Sequence, residues 1–142
     1  FQNIPIRREE GKEIRKAFRA EKTDWKIFSF DYSQIELRIM AHYSKDPSMI
    51  DAFVNNKDIH SQTASSVFNV PMDNVLPEMR RTAKVVNFGI MYGAGPFRLS
   101  QELSVSRQEA SLIITKYFKQ FPGIQNYINE QIHIRIKNKK LQ

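Results

Sequence analysis

Helix start and stop signals recur along most of this chain and constrain its fold more than any other feature. After residue 33, apolar side chains recur at helical spacing, first in residues 34–43. Acidic or serine caps, first-turn prolines and glycine-proline stops then divide the sequence into short helices. The candidate starts are Asp46-Pro47, Asp58, Pro77 and the capping box Ser106-Arg107-Gln108-Glu109, and the candidate stops are Gly93-Ala94-Gly95-Pro96 and Pro122-Gly123. A last amphipathic helix is predicted from Ile124.

One segment before these helices is predicted to be extended. Residues 25–30, Trp25-Lys26-Ile27-Phe28-Ser29-Phe30, are rich in β-forming side chains and should form a strand that ends at Asp31. Residues 17–20 are the candidate hairpin partner, across a turn at residues 21–24. The predicted fold class is therefore α+β, predominantly α-helical, with a small β-strand or hairpin element near residues 16–32.

Composition narrows the class of protein. With 142 residues and 41% hydrophobic content, the chain is long enough for a sizeable core. It has no run of about 18 apolar residues that would span a membrane. The absence of cysteine excludes disulfides and thiolate metal sites, and it fits a reducing cytoplasm. The chain has no starting methionine and no signal peptide, so we expect a piece of a longer protein.

Charge favours a polyanionic partner. Lysine and arginine number 22 against 15 acidic residues, which gives a formal net charge of +7. Nucleic acid is the first candidate for such a surplus, and solubility alone is the alternative.

Residues 80–93, Arg80-Arg81-Thr82-Ala83-Lys84-Val85-Val86-Asn87-Phe88-Gly89-Ile90-Met91-Tyr92-Gly93, carry the most informative pattern. Positions four apart are neighbours on a helix surface, and one such row contains two cations followed by two aromatic rings. We call this row the cation–ring stripe; its members are Arg80, Lys84, Phe88 and Tyr92. It suits a ligand with phosphates at one end and a flat base at the other. The alternative is a solvated basic face with two aromatics packed at the helix end.

A second segment, Asp31-Tyr32-Ser33-Gln34-Ile35-Glu36-Leu37-Arg38, places a carboxylate where the predicted strand turns into a helix. A rigidly held acid suits Mg²⁺, and two-metal phosphoryl transfer usually needs at least two carboxylates. Asp31 is the first candidate ligand and Glu36 a possible second. Alternatively, Asp31 caps the following helix and Glu36 is an ordinary surface acid. Together with the stripe, the segment favours nucleotidyl transfer on a nucleic acid.

The sequence resembles the family A DNA polymerases of bacterial type. Residues 31–38 are similar to motif A of that family, and residues 80–93 to motif B, its fingers helix. Gln2-Asn3-Ile4-Pro5 resembles the segment before motif A, and Asp58-Ile59-His60 a segment between the two motifs. The matches run in the right order nearly from end to end.

The resemblance implies how a deoxynucleoside triphosphate (dNTP) would be bound. Arg80, Lys84 and His60 would hold the triphosphate. Phe88 would stack on the incoming base, and Tyr92 would occupy the template-base position in the open state. The fingers helix would rotate when the nucleotide binds.

The resemblance implies further roles near motif A. Asp31 would bind two Mg²⁺ ions, with the Tyr32 carbonyl as a further ligand, and Asp31 and Lys84 would be the catalytic residues. Glu36 would be a steric gate against a 2′-hydroxyl, and Gln34 would belong to the same nucleotide site. The residues implied to contact primer–template DNA are Gln2, Asn3, Arg7 and Tyr92.

The resemblance also predicts an organisation and a setting. Residues 1–44 would be part of the palm and residues 45–142 the fingers. The rest of the polymerase chain, DNA and dNTP would be the partners of a monomer that acts in replication and repair in the bacterial cytoplasm, near the nucleoid.

The third family motif, a His-Asp-Glu segment, is missing, because none of the histidines at positions 42, 60 and 133 precedes an aspartate. We therefore expect this chain to bind dNTP or DNA without polymerising alone. Three alternatives stay open: a non-catalytic nucleotide- or nucleic-acid-binding module, a single-subunit RNA polymerase fragment, and a basic helical scaffold without a ligand. Glu36 argues against the RNA polymerase.

Overall fold

The computed structural model of the chain describes residue 4, residues 8–30 and residues 32–139. The chain divides into two compact units, Phe1–Ser33 and Gln34–Gln142. The assignment of residues 1–44 to a palm and 45–142 to fingers stays a prediction. No helix formed by the described residues is both long enough and apolar enough to cross a bilayer.

The described residues of the first unit form one helix, α1, at Glu9–Lys16. Acids in its first turn and bases in its last turn complement the helix dipole. Lys12 pairs with Glu9 and Lys16 with Glu13, both three positions apart on the exposed surface. Both pairs are exposed, so each contributes little to the stability of this helix.

The predicted strand and hairpin are wrong, and with them the α+β class, since the described residues form helices and no strand. The predicted hairpin partner, residues 17–20, instead extends the end of α1. There the amides of Ala17 and Phe18 donate to carbonyls of the last turn at 3.2 Å. Among the described residues no second strand lies beside the β-forming segment, and a lone strand is not stable in water. Accordingly, the side chains of Ile27, Phe28 and Phe30 are 56, 74 and 89% exposed.

The predominantly helical part of the prediction is confirmed in the second unit. Seven helices follow one another along residues 35–139, with a short 3₁₀ turn at Met72–Asn74. They are α2 (Ile35–Ser44), α3 (Pro47–Val54), α4 (Ile59–Phe68), α5 (Pro77–Met91), α6 (Pro96–Leu103), α7 (Arg107–Gln120) and α8 (Pro122–Lys139).

The predicted caps lie at helix starts, although α8 begins at Pro122, two residues before the predicted start at Ile124. Asp46 and Asp58 each accept a backbone amide of the first turn, from Met49 and His60, at 3.0 Å. Ser106 and Glu109 form the reciprocal capping box at the start of α7. Each cap satisfies helix amides that would otherwise lack a partner.

The core of this unit draws on most of its helices. Its buried side chains include Leu37 of α2, Met49 of α3, Ile59 of α4, Val86 and Ile90 of α5, Leu99 of α6, Tyr117 of α7 and Ile124 of α8. Helix α5 packs chiefly against α4, and α6 against α7. One face of α5 therefore packs against the core, and its other face is available for a different role.

A buried carboxylate joins the starts of α3 and α8. Asp46 is fully buried, and beyond its capping bond it accepts the backbone amide of Gly123 at 2.8 Å. A Cβ atom at position 123 would lie 2.8 Å from the Cα of Asp46. Only a glycine fits this approach without displacing backbone.

We therefore expect Gly123→Ala to destabilise the chain. Overpacking costs about 1–3 kcal/mol, which outweighs the gain of about 0.5–1 kcal/mol from replacing a helical glycine with alanine. The measurement is urea unfolding of the 142-residue chain, followed by circular dichroism. The matched control is Gly95→Ala, because a Cβ atom there meets nothing within 4 Å. Equal midpoints for the two variants would contradict the packing argument.

Candidate nucleotide-binding site on helix α5

Helix α5 has one buried face and one open face. Ala83, Val86 and Ile90 are at most 4% exposed and face the core. Lys84 is exposed, and Phe88 is partly buried. The cation–ring stripe is therefore not needed to anchor the helix, as its sequence pattern indicates.

The N-terminus of α4 lies beside the first cation of the stripe. Arg80 donates from Nε to Oδ2 of Asp58 at 2.5 Å and from Nη2 to Oδ1 at 3.4 Å. The same carboxylate caps α4 and accepts the hydroxyl of Ser61 at 2.9 Å. Burial alone would raise the pKa of Asp58, but the bonds from Arg80, Ser61 and the His60 amide, with the charge of Arg80, leave the pKa below its usual value. Asp58 thus stays charged and holds Arg80.

His60 connects the cationic and aromatic halves of the stripe. It is 3% exposed, and its ring centroid lies 6.0 Å from that of Phe88. Burial lowers the pKa of His60; the charge of Asp58 opposes this, and the charges of Arg80 and Lys84 add to it. Lys84 and Phe88 are four positions apart on α5, so they lie on the same side of the helix. His60 is therefore neutral at pH 7 in the absence of a ligand.

A buried polar network lies behind His60. The side-chain nitrogen of Asn87 is 2.9 Å from His60 Nδ1, and its oxygen is 3.0 Å from the hydroxyl of Thr63. That hydroxyl also donates to the carbonyl of Ile59 at 2.9 Å. Asn87 and Thr63 are at most 1% exposed. The network ties the ring of His60 to both α4 and α5.

The sequence analysis missed Asn87, Thr63 and Asp58 as parts of this site. Asn87 had a detectable signal, because it lies on the buried face of α5, four residues after Ala83 and three before Ile90. A polar residue on such a face requires a buried hydrogen-bond partner. The sequence predicts Asp58 as a helix cap and as part of the family-like segment Asp58-Ile59-His60, but its pairing with Arg80 depends on how α4 packs against α5.

The C-terminal end of the stripe is held by a turn. Tyr92 caps α5 and is 63% exposed. Gly93 follows with φ of +78°, and the amide of Ala94 donates to the carbonyl of Gly89 at 2.8 Å. This is the glycine-terminated helix end that a left-handed residue allows. It presents the Tyr92 ring at the surface.

Of the predicted residues of motif A, Gln34 and Glu36 lie in the second unit, where no described contact joins them to the stripe. Glu36 is exposed in the first turn of α2. Gln34 adopts the left-handed conformation two residues earlier, and its buried side-chain oxygen accepts no hydrogen bond from the part of the chain that the structure describes. Tyr32 is 80% exposed. The predicted residues Asp31, Gln2, Asn3 and Arg7 lie outside the described residues.

The described residues do not by themselves fit a two-metal site. In residues 8–30 and 32–139, no three histidine, aspartate or glutamate side chains are grouped so that they could hold a metal ion. Of the candidate ligands, Tyr32 and Glu36 lie in this part of the chain, and Tyr32 would contribute only a carbonyl. No catalytic step through a metal is therefore derived from this geometry.

With the fold and the stripe established, comparison with known proteins identifies the class. The whole chain, residues 1–142, matches the sequence profile of DNA polymerase family A. The chain therefore belongs to this family, whose members use divalent metal ions.

Individual relatives agree with this assignment. The chain is 52% identical over 132 residues to DNA polymerase I of Bacillus subtilis, which covers 93% of the chain and 15% of that protein. It is 50% identical over 132 residues to the thermostable DNA polymerase I of Thermus thermophilus, with 93% and 16% covered. The chain thus spans about 15% of the length of such relatives.

A solved structure shares the fold. The POL domain of Pol1 from M. smegmatis, in complex with a DNA primer-template and dNTP, is 41% identical with a TM-score of 0.83. The match covers 97% of this chain and 24% of that domain. The fold of the chain is therefore similar to that of one part of this polymerase domain.

Proposed function

We propose that the protein containing this chain catalyses template-directed DNA synthesis, in which the 3′-oxygen of a primer attacks the α-phosphate of a dNTP. The observation that carries the proposal is the open face of α5, where two cations and two rings lie in a row beside His60. A nucleoside triphosphate has negative charge at one end and a flat base at the other. This order matches the two cations followed by two rings in the stripe. In this proposal the second unit binds the incoming nucleotide.

The cationic half of the stripe would hold the triphosphate. Lys84 is exposed and makes no ion pair with the described residues, so its charge is available to a ligand. The planar guanidinium group of Arg80 binds the carboxylate of Asp58. It would bind phosphate oxygens in the same way. A triphosphate carries more negative charge than one carboxylate and would displace Asp58. His60 would be the third residue that holds the triphosphate.

The aromatic half would hold the base. Phe88 is supported from behind by His60 and partly open, which suits stacking on an incoming base. Tyr92, at the exposed end of the helix, would take the template-base position and contact DNA. The net charge of +7 supports binding to a polyanion.

The roles near motif A rest on the family resemblance. Asp31 and the carbonyl of Tyr32 would bind two Mg²⁺ ions, which would supply charge stabilisation at the reacting phosphate. Glu36 would exclude a 2′-hydroxyl, with Gln34 beside it. Gln2, Asn3 and Arg7 would contact the primer–template. The protein would act in the bacterial cytoplasm, in replication and repair.

The test is primer extension by the full-length protein that contains this sequence. We expect incorporation of the dNTP complementary to the template, and affinity for DNA that falls steeply with salt because phosphate contacts release counterions. Binding of DNA and dNTP without incorporation would instead favour a non-catalytic binding module. Template-directed incorporation of ribonucleotides in preference to dNTPs would favour an RNA polymerase.

A further inference from the structure

The carboxylate of Asp58 is held in place by groups other than Arg80. Its Oδ1 accepts the backbone amide of His60 at 3.0 Å, and its Oδ2 accepts the hydroxyl of Ser61 at 2.9 Å. Both donors belong to the first turn of α4, so they fix the carboxylate at this helix start even when Arg80 is engaged elsewhere.

Arg80 is the mobile partner in this pair. Its side chain is 46% exposed and that of Asp58 is 35% exposed, so water screens the attraction between them. An arginine side chain is long and has many rotamers, whereas the short side chain of Asp58 is fixed by the helix cap. The pair therefore opens by a movement of Arg80 alone and re-forms when Arg80 returns.

Positions along α5 determine which part of a nucleotide reaches Arg80. Phe88, Lys84 and Arg80 follow one another toward the N-terminus of the helix at intervals of four residues. At a rise of about 1.5 Å per residue, Arg80 lies about 12 Å from Phe88 and about 6 Å beyond Lys84 along the axis. With the base on Phe88, the phosphate next to the sugar lies nearest Lys84 and the outer two phosphates lie nearest Arg80. This placement rests on the proposed function.

The outer two phosphates are the part of the nucleotide that the proposed reaction releases. The α-phosphate joins the primer, and the β- and γ-phosphates leave together as pyrophosphate. The guanidinium of Arg80 has only one positive charge. A phosphate bound to the N–H groups that Asp58 does not use would still lie beside the carboxylate and be repelled by it. Pyrophosphate and Asp58 therefore compete for Arg80.

We propose that Asp58 is a positioning residue that promotes the release of pyrophosphate by taking Arg80 back. While the outer phosphates are bound, Arg80 faces them and the carboxylate lacks its cation. After the reaction, pyrophosphate is no longer attached to the nucleotide, so only contacts to its own charges retain it. Asp58 stays at the start of α4 and re-forms the ion pair. It thus lowers the affinity of the site for pyrophosphate without touching the reacting atoms.

The test is the binding of inorganic pyrophosphate to the 142-residue chain in metal-free buffer, followed by the amide signals of α5. We expect Asp58→Asn to bind pyrophosphate about two- to fivefold more tightly, the range that corresponds to an exposed ion pair. Asparagine caps a helix as well as aspartate does, so the substitution removes the charge and keeps the helix start. Asp58→Ser, which also caps a helix without a charge, should give a similar gain.

Two controls assign the gain to the ion pair. Asp51→Asn removes an exposed acid of α3 that pairs with Lys57 at 2.6 Å, so it changes the net charge equally and should leave the affinity unchanged. In an Arg80→Ala background, Asp58→Asn should give no gain, because the cation for which the anions compete is absent. An equal gain in either control would overturn the proposal. Weaker binding by both Asp58 variants would do so too, since Asp58 would then orient Arg80 toward the phosphates.

A measurement on the unmodified chain tests the competition without any variant. By linkage, the charge of Asp58 weakens pyrophosphate binding only if bound pyrophosphate raises the pKa of Asp58. The ¹³C signal of the Asp58 carboxyl group, followed against pH, gives this pKa with and without saturating pyrophosphate. We expect the pKa to rise toward its usual value as the guanidinium of Arg80 turns to the phosphates. An unchanged pKa would overturn the proposal.

The full-length protein separates this inference from the proposed function. In primer extension, Asp58→Asn should lower the inhibition constant of pyrophosphate by about two- to fivefold. If the primer is extended and this constant is unchanged, the role of Asp58 in release is wrong and the proposed function stands. If no primer is extended, the proposed function is wrong, and the binding measurements on the 142-residue chain still decide whether Asp58 competes for Arg80.

Discussion

Lys84→Ala in the full-length protein is expected to lower kcat/KM for dNTP incorporation by about 10²–10³-fold, the cost of removing one donor from developing negative charge. Lys84 lies on the open face of α5, one turn from Arg80, and the described residues provide it with no ion-pair partner. Its side chain is not part of the core, so the loss should come without a loss of stability. Steady-state primer extension at saturating DNA gives the comparison.

Arg81→Ala is the matched control for this prediction. Arg81 is an exposed cation on the same helix, one residue from Arg80 and outside the stripe. Its removal changes the net charge by the same amount but should change kcat/KM for the dNTP only slightly. Equal effects of the two substitutions would mean that the general charge of the helix matters, rather than the position of Lys84.

Glu36→Ala is expected to weaken the preference for deoxynucleotides over ribonucleotides by about 10–200-fold, the range for a single group in a specificity pocket. Glu36 is exposed in the first turn of α2, where no ion pair with the described residues restricts it. If the side chain occupies the space of a 2′-hydroxyl, alanine makes room for that group. The measurement is the ratio of kcat/KM for dATP and ATP opposite the same template base.

The matched control for the gate is Glu130→Ala, which removes an exposed acid from α8. This substitution should leave the ratio of kcat/KM for dATP and ATP unchanged. A loss of dATP incorporation in Glu36→Ala without any gain for ATP would assign Glu36 to metal binding or folding and contradict the gate.

The helices of the second unit were predictable because their ends are encoded locally. Asp46, Asp58 and the Ser106–Glu109 box satisfy backbone amides within three residues of themselves, so the sequence alone contains both partners. The stripe was predictable for the same reason, since helix geometry fixes which residues share a face. Its separation from the buried residues Ala83, Val86 and Ile90 is confirmed.

The predicted strand failed because a strand is defined by its partner. Trp25, Ile27 and Phe28 have the right propensities, but the described residues include no second strand to pair with them. Propensity for a sheet expresses how well a side chain fits a neighbour on a pleated surface, and that neighbour is not visible in the segment itself.

The inner part of the site was missed because it depends on packing between helices. Asp58 and Arg80 are 22 positions apart, and Asn87 and His60 are 27 apart. Local patterns cannot supply such pairs. Only the presence of Asn87 on an apolar face indicated that a polar partner had to come from elsewhere.

The most direct test of the account is a titration of the ¹⁵N-labelled 142-residue chain with dATP, in which the backbone amide signals are followed. We expect the largest shifts along the stripe, at Lys84 and Phe88, and at His60 of α4, with little change at Arg81. Shifts that are uniform along α5, or absent from Lys84 and Phe88 at concentrations that perturb other residues, would contradict the assignment of this face to a nucleotide.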